Sequence, residues 1–156
     1  MTDHVHHYRA QCRWEGSTGG GYLEYVRAHR AKSPPAEVAL TLSADPVFHG
    51  DEKLLNPEQL VVLAAASCQL LSFLASAARS NVDVRAYEDD AEGVMPEDDK
   101  PARITSIVLR PRIVVAPGTD EALVLRLVDK AHHNCYVANS LASEIRIEPV
   151  VTEAGG

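Results

Sequence analysis

The stretch Asn56-Pro57-Glu58-Gln59-Leu60-Val61-Val62-Leu63-Ala64-Ala65-Ala66-Ser67-Cys68 decides how this chain is read. It opens a helix. Asn56 is an N-cap, Pro57 suits the first helical position, and Glu58 favours the positive end of the helix dipole. The apolar pattern continues through Leu70, Leu71, Phe73 and Leu74, and the helix is expected to end near Asn81. Its middle is apolar on nearly every side, the pattern of a helix enclosed by protein. The small residues Ala64, Ala65, Ala66 and Ser67 let another backbone approach closely. Cys68 therefore stands on a rigid central helix. A second cysteine, Cys135, follows another helical pattern, in His132-His133-Asn134-Cys135-Tyr136. Two thiols far apart in sequence point to a nucleophile and its resolving partner. The competing reading is packing: a free cysteine behaves as a small hydrophobe, and apolar surroundings make a thiol inert. To react, Cys68 needs a cation nearby.

Outward from this helix, strands are expected on both sides. Residues 7–14 alternate, with Tyr8, Ala10, Cys12 and Trp14 on one face, and Cys12 is expected in the core. The glycine-rich segment 16–21 connects this strand to Tyr22–Arg27, a second strand forming a hairpin with the first. Val38–Leu42, Val82–Tyr87 and Ile104–Val115 read as further strands, the last interrupted at Pro111. Thr119-Asp120-Glu121 opens a second helix with an apolar stripe of Ala122, Leu123, Leu127, Val128 and Ala131, closed by His132, His133 and Asn134. Val137–Leu141 forms a further helical turn. Ile145–Val150 is a final strand. The order of strands, helix, strands, helix and strand predicts an α+β fold, with antiparallel sheets wrapped around two central helices.

At 156 residues, a single domain over 1–156 is expected. Aromatics are only 5% of the chain, so its core is built mainly from Ala, Val and Leu. The net charge of −7 argues against nucleic acid, whose binding needs Lys and Arg at phosphates. The acidic residues at 88–92 and 97–99 read as a solvated loop. No uninterrupted apolar run reaches the length of a membrane span. The first residues lack the apolar core of a signal peptide, so a cytoplasmic protein is expected. There a disulfide is transient and catalytic. The histidines His4, His6, His7, His132 and His133 raise the question of zinc. Paired CxxC or HxxxH spacings are missing, so no metal is expected, and His132 and His133 read as a helix C-cap. No motif for nucleotide or serine-hydrolase chemistry occurs, and no organic cofactor is expected.

The run from Asn56-Pro57-Glu58 to Cys68, and Cys135 after the second helix, resemble the signature of the OsmC/Ohr family. Tyr25-Val26-Arg27-Ala28-His29 resembles the arginine-bearing segment of one OsmC-like branch. The resemblance extends over about residues 8–150. It implies a thiol-dependent peroxidase that reduces organic hydroperoxides, working as an intertwined α+β homodimer. It makes Cys68 the peroxidatic cysteine, Cys135 the resolving one, Arg27 the activating arginine and Glu58 the acid that orients it, with Arg13 and Arg30 as competitors for the arginine's place. It also implies a dithiol reductant, often of lipoyl type. Tyr136 departs from the pattern, standing where many relatives carry proline. Leu63, Leu70, Leu71 and Phe73 would line an apolar substrate site. Glu58 and Cys68 lie ten residues apart, roughly 15 Å along a helix. Such a span suggests that each site is completed by a second subunit. The alternative function is a non-enzymatic protein of the same fold that binds a hydrophobic ligand or senses redox state.

Overall fold

The computed structural model describes residues 4–155, which fall into two compact units dividing after Leu60. In the first unit β1 (Gln11–Arg13), β2 (His29–Lys32) and β3 (Ala39–Leu42) form an antiparallel sheet, with Cys12 opposite Ala31 and Ala31 opposite Leu40. The hairpin partner of β1 is thus β2, not the expected 22–27. Those residues form turns, and the Arg27 guanidinium takes the carbonyls of Tyr22 and Tyr25 that a strand would have paired. Cys12, expected in the core, is exposed in this three-stranded sheet, and Tyr8, expected on the same strand face, lies exposed before β1. Further on, the chain doubles back so tightly that a Cβ on Gly50 would meet the Ala44 carbonyl at 1.7 Å.

Helix α1 (Pro57–Arg79) begins where its sequence places it. Asn56 Oδ1 accepts the Gln59 N–H at 2.8 Å, and Gln59 Oε1 accepts the Asn56 N–H at 3.0 Å, a reciprocal capping box. It ends in a Schellman motif. Asn81 takes a left-handed φ of 56°, and the Val82 N–H donates to the Ala77 carbonyl at 2.9 Å.

The second unit holds two three-stranded sheets. One is β4 (Val84–Asp89), β7 (Pro111–Val115) and β9 (Val150–Glu153); the other is β5 (Glu92–Val94), β6 (Ser106–Leu109) and β8 (Glu144–Ile147). The expected sheets were antiparallel, but β6–β8 and β7–β9 pair in parallel. The strands expected over Ile104–Val115 and Ile145–Val150 are each broken. The first divides at Arg110 and the second at Glu148-Pro149, and in both cases the halves enter different sheets. Arg110 explains the break: its N–H donates to Asp89 Oδ1 at 2.7 Å, and its guanidinium pairs with Glu92 at 3.2 Å and Glu148 at 3.3 Å. The expected acidic loop is therefore partly strand, its charges paired with Arg110 and Arg112. Gly93 lets β5 approach the helix, since a Cβ there would lie 2.5 Å from Val62 Cγ2.

Helix α2 (Glu121–His133) is capped by Asp120, which accepts the Ala122 N–H at 2.9 Å. The two halves of α1 pack differently. Ala65 joins Ile107 and Leu109 of β6. Phe73 and Ala77 join Ile113 and Val115 of β7 and Val124, Leu127, Val128 and Ala131 of α2. α1 was expected to be enclosed on nearly all sides, but Leu63, Leu71 and Leu74 are exposed. By length and composition, with a mean hydropathy of 2.0, it meets the measure of a membrane-crossing helix. The packing of Ala65, Phe73 and Ala77 is that of a core helix.

Candidate active site

Cys68 lies in the middle of α1, between the half that packs on β6 and the half that packs on β7 and α2. Cys135 follows the C-cap of α2, and its N–H donates to the His132 carbonyl at 3.1 Å. The chain then winds around the Cys135 sulfur: Sγ accepts the Ala138 N–H at 3.5 Å, and the Cys135 carbonyl accepts the Asn139 N–H at 3.0 Å. Val137 and Leu141 pack on Ala65 and its neighbours, holding this turn against α1. Cys135 is 2% exposed and Cys68 is half-buried; both are free thiols.

The fold brings the two cysteines together. Burial pushes the Cys68 thiol up, but hydrogen bonds from the Cys135 thiol, the Val137 and Tyr136 N–H groups and the Ser72 hydroxyl outweigh it. The net shift is downward, so the thiolate is favoured. Cys135 moves the other way, through burial first and then through its hydrogen bond to Cys68. The two thiols are thus shifted in opposite directions, Cys68 toward the thiolate and Cys135 toward the neutral form. None of the groups that act on Cys68 here carries a formal positive charge.

Ser72, Tyr136 and Val137 were not legible as site residues. Ser72 had a signal, since it stands four residues after Cys68 on the same helical face. The two N–H groups had none, because any residue type supplies them. Gln69 was also missed. It is fully buried in α1, and its Nε2 donates to the Val128 carbonyl at 3.1 Å, setting α1 against α2. An amide next to Cys68 in an apolar helix was the available clue. Of the expected apolar lining, Phe73 is core, while Leu63 and Leu71 are exposed. Among the described residues, no group of three His, Cys, Asp or Glu side chains gathers as a metal site.

Arg27 and Glu58 belong to the first unit and line one cavity there, of about 360 Å³, together with Trp14, Tyr25, His29 and Phe48. Arg27 is held by its own segment. Nη1 donates to the Tyr25 carbonyl and Nη2 to the Tyr22 carbonyl. The guanidinium carbon lies 3.8 Å from the Tyr25 ring centroid and 4.9 Å from that of Tyr22. His29 Nδ1 donates to the Arg27 carbonyl at 2.9 Å. No ion pair joins Glu58 to Arg27 among the described residues. Of the competing arginines, Arg13 pairs with Glu15 and Arg30 is exposed on β2; neither lines the cavity.

The profile of the OsmC-like protein family matches residues 50–150. Peroxiredoxin OsmC of Escherichia coli K12 is 25% identical over 147 residues, covering 91% of this chain and 94% of that protein. The uncharacterized protein YmaD of Bacillus subtilis is 22% identical over 147 residues, covering 92% and 91%. An OsmC-like protein from Vibrio cholerae superposes with a TM-score of 0.84 at 27% identity, over 94% of this chain and all of that one. An organic hydroperoxide resistance protein OsmC from Legionella pneumophila superposes with a TM-score of 0.67 at 16% identity, over 95% and 98%, a likeness of fold.

Proposed function

The chain belongs to the OsmC-like protein family, and from that premise we propose that it is a cysteine-based peroxidase that reduces organic hydroperoxides. The observation that carries the reading is the convergence of the Cys135 thiol, two backbone N–H groups and the Ser72 hydroxyl on Cys68. The thiolate of Cys68 attacks the distal oxygen of the hydroperoxide. The O–O bond breaks, the alkoxide leaves and takes a proton, and Cys68 becomes a sulfenic acid. The Cys135 sulfur then attacks the sulfenic sulfur, water is released, and a Cys68–Cys135 disulfide forms. A dithiol reductant, in our reading of lipoyl type, reopens it by exchange.

Because local groups already favour the Cys68 thiolate, we assign Arg27 chiefly to the charge that develops on the leaving alkoxide. Glu58, on the same cavity, is assigned as the acid beside it. We propose that the 156 residues act as one OsmC-like domain in an intertwined homodimer in the cytoplasm, with Arg27 and Glu58 brought to Cys68 partly by the second copy. The open apolar face of α1, where Leu63 is 53% and Leu71 63% exposed, supports a second copy.

The test is single-turnover oxidation of the reduced protein by one equivalent of cumene hydroperoxide, with thiols counted by mass spectrometry. Rapid loss of two thiols into a Cys68–Cys135 linkage, absent in Cys68→Ser, is the expected result. Slow oxidation spread over Cys12, Cys68 and Cys135 would overturn it, and leave a ligand-binding or redox-sensing protein of the same fold.

A further inference from the structure

We infer that Tyr25, backed by Tyr22, is the positioning residue for Arg27, holding its guanidinium in orientation without neutralising it. The inference rests on the peroxidase reading of Arg27. A guanidinium has five N–H donors and is usually held in proteins by a carboxylate, which orients it and cancels much of its charge. Arg27 is held differently. Two of its nitrogens donate to the neutral carbonyls of Tyr22 and Tyr25, and both rings lie within cation–π distance. Its Nε is buried and has no partner among the described residues.

The rings are themselves braced. Tyr25 meets the Trp14 ring edge-on at 6.2 Å, and Tyr22 meets Tyr25 at 6.3 Å and His49 at 5.3 Å. Trp14 Nε1 donates to the Val26 carbonyl at 2.8 Å, tying the end of β1 to the arginine's own segment. With no carboxylate in ion-pair contact among the described residues, such a cation is left to meet an anion formed during reaction, at an angle already set. A Glu58–Arg27 pair would set the angle too, but would spend the charge on Glu58.

The experiment uses the full chain and two rates at Cys68: oxidation by cumene hydroperoxide and alkylation by iodoacetamide. Alkylation reports the thiolate alone. Tyr25→Leu is expected to slow oxidation about tenfold, the scale of one cation–π contact, with alkylation and the melting temperature unchanged. Tyr25→Phe, which keeps the ring face, is expected to restore the oxidation rate. In an Arg27→Ala background Tyr25→Leu is expected to have no further effect, because it acts through Arg27. Wild-type oxidation rates in Tyr25→Leu would overturn the clamp, as would a Tyr25→Phe as slow as Tyr25→Leu, additive losses in the double variant, or equal slowing of alkylation. A wild-type chain that loses no thiols to peroxide would instead overturn the peroxidase reading, and the clamp's role with it.

Discussion

The two units are built on different principles. The second buries Phe73, Ile107, Ile113, Val124 and Ala131 between sheets and helices. In the described part of the first, only Leu42, Ser43 and Asn56 are buried. Its shape comes instead from a short sheet, the aromatic cluster around Arg27 and single hydrogen bonds such as Ser33 Oγ to the Arg9 carbonyl at 2.6 Å. A segment of this size is marginal even with a good core, and this one buries few apolar side chains. Labour is divided accordingly: the thiol pair, which needs fixed geometry, sits on the cored unit, and the candidate cation sits on the one with few buried side chains.

Hydrogen exchange is the sharpest way to break that contrast. Amides of β6, β7 and α2 are expected to exchange near the global limit, and those of β1–β3 orders of magnitude faster in dilute protein. Raising the concentration is expected to slow β1–β3 by at least about tenfold if a second copy covers them. Exchange equally slow in both units at every dilution would erase the contrast. Truncation tests it next. Phe73→Ala is expected to cost about 3–5 kcal/mol in urea denaturation, as for a large side chain lost from a core. Val38→Ala, exposed on the first unit, is expected to change stability by no more than about 0.5 kcal/mol.

Smaller effects sharpen the chemistry of the cored unit. Cys135→Ala removes a hydrogen bond that favours the Cys68 thiolate, so the pH midpoint of Cys68 alkylation is expected to move up. An unmoved midpoint would assign the thiolate to other groups. Smallest is Asp89→Asn. Burial pushes the Asp89 carboxyl up and the Asp90 charge adds to this, while the Arg110 N–H and the charges of Arg110 and Arg112 oppose it. A carboxylate raised on folding weakens the fold above its folded pKa, and the penalty fades as pH falls toward the unfolded value. Asp89→Asn is therefore expected to raise the melting temperature at neutral pH by about 1–2 °C, with a gain that shrinks as the solution is acidified. A gain that grows in acid would reverse the sign.

Much of this molecule is local and so was legible. Asn56, Pro57 and Asn81 mark both ends of α1, and Asp120 the start of α2, because caps are satisfied within a few residues. The position of Cys68 in mid-helix and of Cys135 just past a helix end follows from the same signals. What was illegible is nonlocal. A strand's residues do not say which sheet it joins, and a single arginine at 110, drawing on Asp89, Glu92 and Glu148, divides one apparent strand between two sheets. The hairpin expected at 22–27 failed because a side chain, Arg27, claimed the carbonyls that period two assigns to a neighbouring strand.

By itself, the sequence determined the helices, their caps, the α+β class and the two thiols on which chemistry is proposed, all from interactions spanning a few residues. Only the tertiary structure decided that Cys135, Tyr136, Val137 and Ser72 converge on Cys68. Such a hydrogen-bonding environment is made of backbone groups and of contacts across more than sixty residues, which no local pattern encodes.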